Sequence, residues 1–268
     1  MGDGSRIILD AGSGIRALGE STGPCAASLL LSHYHWDHIQ GFPFFGPIYS
    51  PESSIRVFGP EYEGRGPSDL LDGQSAAPYF PAPSSEWCGV VDCSPIPSEP
   101  FSIGSASITA GRLSHPGPTF GYRIEDGGQI LVYMSDNEVD RASPELLSSM
   151  VELAARADIL IHDCQYTEPE YAVRHGWGHS TPRQAVRLAQ EAEVSRLYLF
   201  HHNPTHSDES VISLASEARR RAPGMDIVVA REGDGVGPPL SQRLDSRVSP
   251  DSRRSLGATT GRTRPLPP

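Results

Sequence analysis

His33-Tyr34-His35-Trp36-Asp37-His38 decides how this chain is read. The hexapeptide follows the apolar run Leu29-Leu30-Leu31 and precedes a glycine- and proline-rich segment from Gly41 to Pro47. A buried strand that ends in such a loop can turn several imidazoles and a carboxylate towards one point. Neutral imidazole nitrogen and carboxylate oxygen are the donors that zinc and similar divalent ions take. Single histidines are ordinary on a surface. Three histidines and an aspartate within six residues, directly behind an apolar strand, point to a metal site.

Outward from that loop, residues of the same donor types recur where short apolar runs end. Asp10 follows Ile7-Ile8-Leu9, Asp136 follows the run from Ile130 to Met134, His162-Asp163 follow Ile159-Leu160-Ile161, and His201-His202 follow Leu197 to Phe200. His115 comes just after a strand expected over Ala106 to Leu113. Strands are also expected at Leu29 to Ser32, Ile55 to Phe58, Gly121 to Glu125 and Asp226 to Val229, with Asp126-Gly127-Gly128 as a hairpin turn. Helices are expected after Ser143-Pro144 to about Ala155, after Thr181-Pro182, and from about Asp208 to Arg220. In the second of these, Ala185, Leu188 and Ala189 share one face. Ile39 to Phe45 suggests a further short helix. Residues 61 to 100 read as a surface excursion beside the site, with a helix at Ser68 to Ser75.

With 268 residues the chain is long enough for one large α/β domain. The folded domain is expected over 1–236, followed by a disordered Arg-, Pro- and Ser-rich tail over 237–268. No apolar run approaches the ~18 residues of a membrane span. The start from Met1 to Arg6 does not read as a signal peptide, and four scattered cysteines read as reduced thiols, so a cytoplasmic setting is expected. The net charge is −11 and every basic residue but histidine is arginine. From Arg243 onward six arginines face Asp245 and Asp251, a local +4, which leaves −15 for the body. An acidic body argues against a broad surface that tracks long nucleic acids. A short substrate held by metal ions is unaffected by that argument.

Taken together, the loop at His33, Ser114-His115-Pro116-Gly117, Tyr133-Met134-Ser135-Asp136, Gly178-His179-Ser180-Thr181 and Leu199-Phe200-His201-His202-Asn203-Pro204 resemble the metallo-β-lactamase superfamily, nearest to its ribonuclease Z and phosphodiesterase branch. The likeness covers roughly residues 7 to 232. It implies an α/β fold, a four-layer αββα sandwich, and two metal ions, zinc by expectation, with ions such as Mn²⁺ as the substitute. It further implies that His33, His35 and His115 hold one ion, that Asp37, His38 and His201 hold the other, and that Asp136 bridges them. His201 fits the family position better than His202. Asp10 resembles a residue that orients a ligand imidazole. His179 matches the histidine that the branch uses near the phosphate, and Asp163 stands where an acidic residue orients it.

The function implied is a dinuclear hydrolase of small phosphodiesters, cyclic nucleotides among them, using a metal-bridging hydroxide. Competing readings are a ribonuclease Z-like endonuclease, a lactone or other ester hydrolase, and a metal-binding sensor domain. Only 20 residues separate His115 from Asp136, too few for the RNA-gripping arm that ribonuclease Z carries there. Trp36, Phe42, Phe44 and Phe45 could stack on a base, although rings beside a buried strand are more often core. A homodimer is compatible with all of this. Relatives carry a hairpin before the strand at Ile7, so the expectation is either a start assigned too late or a first sheet truncated at its N-terminal edge.

Overall fold

Leu29, Leu30 and Leu31 are fully buried, and they point alternately to opposite sides because strand residues do. Leu29 and Leu31 pack with Ile15, Phe42, Phe45 and Leu71, whereas Leu30 packs with Tyr122 and Tyr133. One strand therefore separates two cores. The computed structural model describes residues 6–235, so the segment 237–268 read as a tail lies outside the described residues.

The elements run β1 (Arg6–Leu9), α1 (Gly14–Thr22), β2 (Ala26–Leu30), α2 (Trp36–Ile39), β3 (Ser54–Gly59), α3 (Pro67–Ser75), β4 (Val90–Pro95), β5 (Phe101–Ile103), β6 (Ala106–Arg112), β7 (Phe120–Asp126) and β8 (Gln129–Met134). They continue with α4 (Pro144–Ala154), β9 (Ile159–Asp163), α5 (Glu168–Val173), α6 (Pro182–Glu191), β10 (Arg196–Phe200), α7 (Asp208–Arg221) and β11 (Asp226–Val229). A four-stranded sheet has the order β1-β2-β3-β4, all parallel. A seven-stranded sheet has the order β11-β10-β9-β8-β7-β6-β5, parallel from β8 to β11 and antiparallel from β5 to β8. Among the described residues β1 is an edge strand of the first sheet.

Three apolar clusters give the layering. Ile15, Phe42, Leu71 and Trp87 cover the outer face of the first sheet. Leu30, Phe58, Ile108, Tyr122 and Tyr133 fill the space between the sheets. Met150, Leu153, Ala185, Leu188, Leu214 and Ala218 bring α4, α6 and α7 onto the outer face of the second sheet. The result is the four-layer αββα sandwich. Two bonds cross between the layers beside the histidine loop: Tyr122 OH donates to the Leu31 carbonyl at 2.6 Å, and Phe120 N–H to that of Ser32 at 3.0 Å.

Local chemistry explains where the expectations shift. The helix expected over Ile39 to Phe45 is instead a single turn, α2, followed by 3₁₀ turns at Phe42–Phe44 and Gly46–Tyr49. Pro43 and Pro47 each lack an N–H and push the preceding residue out of the α region. The excursion from 61 to 100 does hold the expected helix, α3, but it also delivers β4 to the edge of the first sheet. The sequence of β4, Val-Val-Asp-Cys-Ser-Pro, is mostly exposed or half-buried and carries no clean alternation, so nothing in it announces a strand. Ser143 caps α4 by accepting the Leu146 N–H at 3.2 Å, as read. Thr181 makes no such cap on α6; its hydroxyl donates to Glu168 at 2.7 Å.

Candidate metal centre

The site lies where the C-terminal ends of parallel strands from both sheets meet, the usual place for a ligand in α/β sheets. β2 feeds His33, His35, Asp37 and His38; β8 feeds Asp136; β9 ends in Asp163; β10 is followed by His201; the β6–β7 connection carries His115. The turn after β1 braces this loop. Ala11 N–H donates to the His38 carbonyl at 2.7 Å, and a side chain at Gly12 would run into the Asp37 carbonyl.

The donor atoms fall into two quartets that share one carboxylate. His33, His35, His115 and Asp136 bring ligand atoms within 4.8 Å of one another, and so do Asp37, His38, Asp136 and His201. Asp136 Oδ2 is 3.6 Å from Nε2 of both His33 and His115, while Oδ1 is 3.1 Å from His38 Nε2 and 3.3 Å from His201 Nε2. Each oxygen thus serves one quartet. The cluster is a dinuclear metal-binding arrangement with a shared Asp136.

The imidazoles are oriented by what their other nitrogens bind. Asp10 can only accept, so His38 donates its Nδ1–H to it at 2.8 Å; the same carboxylate accepts from Ser32 N–H (2.6 Å), Ser32 Oγ–H (2.8 Å) and Tyr133 OH (2.8 Å). His115 donates Nδ1–H to the Gly178 carbonyl at 2.9 Å, and His33 Nδ1 is 3.0 Å from Ser32 Oγ. Each of these rings therefore turns an Nε2 lone pair inward, as metal-bound histidines do. His33 Nε2 is buried without a hydrogen-bond partner, and His115 Nε2 faces His35 Nδ1 at 3.1 Å. A buried ring nitrogen without a partner, beside donor atoms that converge on one carboxylate, fits a divalent cation.

The electrostatics agree. Burial, then the neighbouring His38, drives His33 down to about 3. Burial opposes charge on His38, but Asp10 and after it Asp136 and Asp37 hold that ring far above the ordinary imidazole value. Asp37 is pushed up by burial, yet hydrogen bonds from His201 and His38 bring it well below the ordinary carboxylate value. Asp136 behaves likewise, with His201 as the main attraction. Asp10, Asp37 and Asp136 converge on these imidazoles and favour positive charge among them.

Beside the quartets stands a third group. Asp163, His179, Asp136 and His201 place one ligand atom each within 4.8 Å. His179 Nδ1 is 2.6 Å from Asp163 Oδ2, and Asp163 Oδ1 is fixed by the N–H groups of Gln165 (3.0 Å) and Ser180 (3.1 Å). The His179 ring stacks on His201 with centroids 5.2 Å apart and 11° between planes. Of the neighbouring candidates, His202 joins no group, and His162 turns away to Asn137 at 3.0 Å. Phe42 and Phe45 are core, whereas Trp36 and Phe44 are exposed.

Glu138 is the functional residue that sequence reasoning missed. It is buried, and its carboxylate accepts from Tyr171 OH (2.9 Å) and from the backbone N–H groups of Gly176 (2.8 Å) and Gly178 (2.8 Å). Its own N–H donates to the Ser114 carbonyl at 2.7 Å. Gly178 sits at φ +89°, where a Cβ would collide with His115 Nδ1, so this loop admits only glycine there. The polar run Asp136-Asn137-Glu138 was the available signal, but nothing in it separated a ligand from a brace.

A family profile described as the Beta-lactamase superfamily domain matches residues 5–202. The chain belongs to the metallo-β-lactamase superfamily. Within that superfamily, an uncharacterized protein of Mycobacterium tuberculosis (strain ATCC 25618 / H37Rv) is 32% identical over 222 residues, which cover 78% of this chain and 74% of that one. A ribonuclease Z of Haloferax volcanii is 26% identical over 289 residues, 89% of this chain and 88% of the relative. Among solved structures, a diphosphatase from the PhnP family superposes with a TM-score of 0.61 at 19% identity, covering 87% of this chain and 81% of the other, a likeness of fold. Among the described residues, no helix is long and apolar enough to cross a membrane.

Proposed function

We propose that this superfamily member is a dinuclear metal-dependent phosphodiesterase of small phosphodiesters, cyclic nucleotides among them. The observation that carries the proposal is the His179–Asp163 pair at 2.6 Å, placed beside the shared Asp136. Carbonyl esters with good leaving groups have little need of a proton donor there; an alkoxide leaving a phosphodiester does.

His33, His35, His115 and Asp136 would hold one ion, and Asp37, His38, His201 and Asp136 the other; zinc is the proposed metal. Bound there, two such ions supply Lewis acidity and a water of lowered pKa. The rest is the work of side chains. Asp163 accepts the Nδ1–H of His179 and orients the ring, so Nε2, when it carries a second proton, is the atom that gives it to the departing alkoxide and is left with a lone pair. Asp10 holds His38, and Gly178 holds His115, so neither ring turns when a phosphate enters. Tyr166, edge-on to His179 at 5.6 Å, limits water on that side.

A second reading, the ribonuclease Z-like endonuclease, is favoured by the relatives of that name. Against it, residues 116–135 form only a loop, β7, a two-residue turn and β8. Zinc-loaded protein assayed against bis(4-nitrophenyl) phosphate, 3′,5′-cyclic AMP, a precursor transfer RNA and a lactone separates the readings. Turnover is expected on the first two. Turnover of the lactone alone would replace the phosphodiesterase with an ester hydrolase, and silence on all four would favour a binding domain.

A further inference from the structure

The loop that carries the metal-facing histidines also anchors a hairpin beside them. Tyr34, between His33 and His35, donates its OH to the Pro60 carbonyl at 2.8 Å, and a Cβ at Gly59 would run into that hydroxyl. Just beyond, Tyr62 and Arg65 exchange both backbone hydrogen bonds, each at 3.0 Å. Glu63 and Gly64 join them at φ +50° and +77°, the positive values that a two-residue hairpin turn of type I′ needs. Residues paired in this way place their side chains on the same face of the ribbon. The Tyr62 ring lies against the loop after His115, where a Cβ at Gly117 would stand 3.6 Å from it. Arg65 therefore leaves the hairpin on the side that faces the metal loops.

Both side chains line a cavity of about 530 Å³ that His33 and His35 also line. Among the described residues no Asp or Glu lines it, although the body carries −15. Arg65 is exposed, and among the described residues its guanidinium has no hydrogen bond or ion pair. Arginines elsewhere around the site are engaged: Arg183 and Arg187 pair with Asp140, and Arg174 lies over the Tyr166 ring. Arg65 pairs with neither Asp37 nor Asp136, so an anion held at Arg65 is a different group from the one at the metals.

We infer that Arg65 binds a second anionic group of the substrate, a carboxylate or phosphate carried on the part that is not hydrolysed. The inference rests on the phosphodiesterase reading for what the metal end holds, and it narrows the substrate to esters with further negative charge. A guanidinium presents a planar fork of N–H donors that fits two oxygens of either group. An acidic body repels such a substrate at a distance, so a fixed cation in a cleft without carboxylates decides whether it docks. Because Arg65 meets the part that does not react, its contribution falls on binding more than on the chemical step.

Hydrolysis of 4-nitrophenyl alkyl phosphates by the zinc-loaded full chain tests this. The alkyl arm ends in a methyl, a carboxylate or a phosphonate, each on ethylene, propylene and butylene tethers. The best anionic arm should exceed its methyl counterpart at least about tenfold in kcat/KM, chiefly through KM, as one charge-assisted hydrogen bond provides. Whichever of carboxylate and phosphonate leads names the group. Arg65→Gln should bring the anionic and methyl arms level, and Arg65→Lys should keep part of the difference. A residue that only supported the fold would lower all arms alike in Arg65→Gln and leave their ratio intact, which overturns the subsite. A parent protein with no preference for either anion on any tether overturns it too. For protein that hydrolyses none of the esters, calorimetry with propyl phosphate and 3-phosphonopropyl phosphate reads the same contact. Tighter binding of the second, lost in Arg65→Gln, keeps the subsite and removes only the phosphodiesterase; hydrolysis without preference removes only the subsite.

Discussion

The Glu138 carboxylate accepts the backbone N–H of Gly178 at 2.8 Å, and the Gly178 carbonyl in turn accepts Nδ1–H of His115 at 2.9 Å. One buried side chain therefore sets both a metal-facing histidine and the residue before His179. Glu138→Gln would turn an amide donor towards N–H groups that need an acceptor, at a cost of roughly 1–3 kcal/mol. The expected outcome is a lower melting temperature together with reduced zinc retention in the His115 quartet and slower turnover. Unchanged zinc content and turnover would show that the loop is held by its other contacts.

Because each Asp136 oxygen faces a different quartet, the purified protein should carry about two divalent ions per chain. Asp136→Ala should lose most of the second ion along with activity. Elemental analysis that finds one ion in both proteins would remove the dinuclear assignment.

His179 contacts Asp163 and not the quartet carboxylate directly, so metal content should survive its removal. His179→Ala is expected to lose roughly 10²–10⁴-fold in turnover of alkyl phosphodiesters, the usual worth of a general acid. Nitrophenyl esters should suffer much less, since their leaving group needs no proton. Asp163→Asn should resemble His179→Ala, because an amide in that place fixes the wrong tautomer. Equal losses on both substrate types would assign His179 another part.

Glu170 gives a pH dependence away from the metals. Its carboxylate accepts Thr167 N–H and Oγ1–H, both at 2.8 Å, and lies 2.8 Å from His206 Nε2. Burial raises its pKa, but these bonds bring it below the ordinary glutamate value. The folded value lies under the unfolded one of about 4.3, so this stabilisation is present above that pH and is lost as pH falls through the folded value. Glu170→Gln should lower the melting temperature at pH 7, and the gap to the parent should begin to narrow as the pH falls below about 4.3. A gap that is independent of pH would mean that the carboxylate charge contributes nothing.

A long RNA needs many cationic contacts, and its binding falls steeply with salt. The body carries −15. Cleavage of small phosphodiesters should therefore change little between low and moderate salt, and a precursor transfer RNA should be the poorer substrate. Efficient removal of a transfer RNA 3′ trailer would make the endonuclease the better reading.

The fold was legible wherever an apolar run ended in a donor residue. Ile7 to Leu9, Ile159 to Ile161 and Leu197 to Phe200 each declare themselves as strands, and the hexapeptide at His33 announces its chemistry in consecutive residues. What stayed illegible depends on partners far away in sequence. β4 is a strand because β3 offers it an edge, not because its own residues alternate. Glu138 is a brace only because Gly176 and Gly178 come back to it some forty residues later. Single-residue patterns show periodicity and donor type; they do not show who arrives opposite.

The two sheets also differ in how soon they can form. β5 to β8 is an antiparallel run with short connections, so its contacts are local and cheap to close. The first sheet is parallel throughout, and each of its pairings waits for a longer crossover. His33, His35 and His38 travel with the slow sheet, and Asp136 with the fast one. The ligand set is complete only after the sheets dock across Leu30, Tyr122 and Tyr133. A divalent ion added during refolding should therefore lock the final step of assembly and leave the early, hairpin-rich stage untouched.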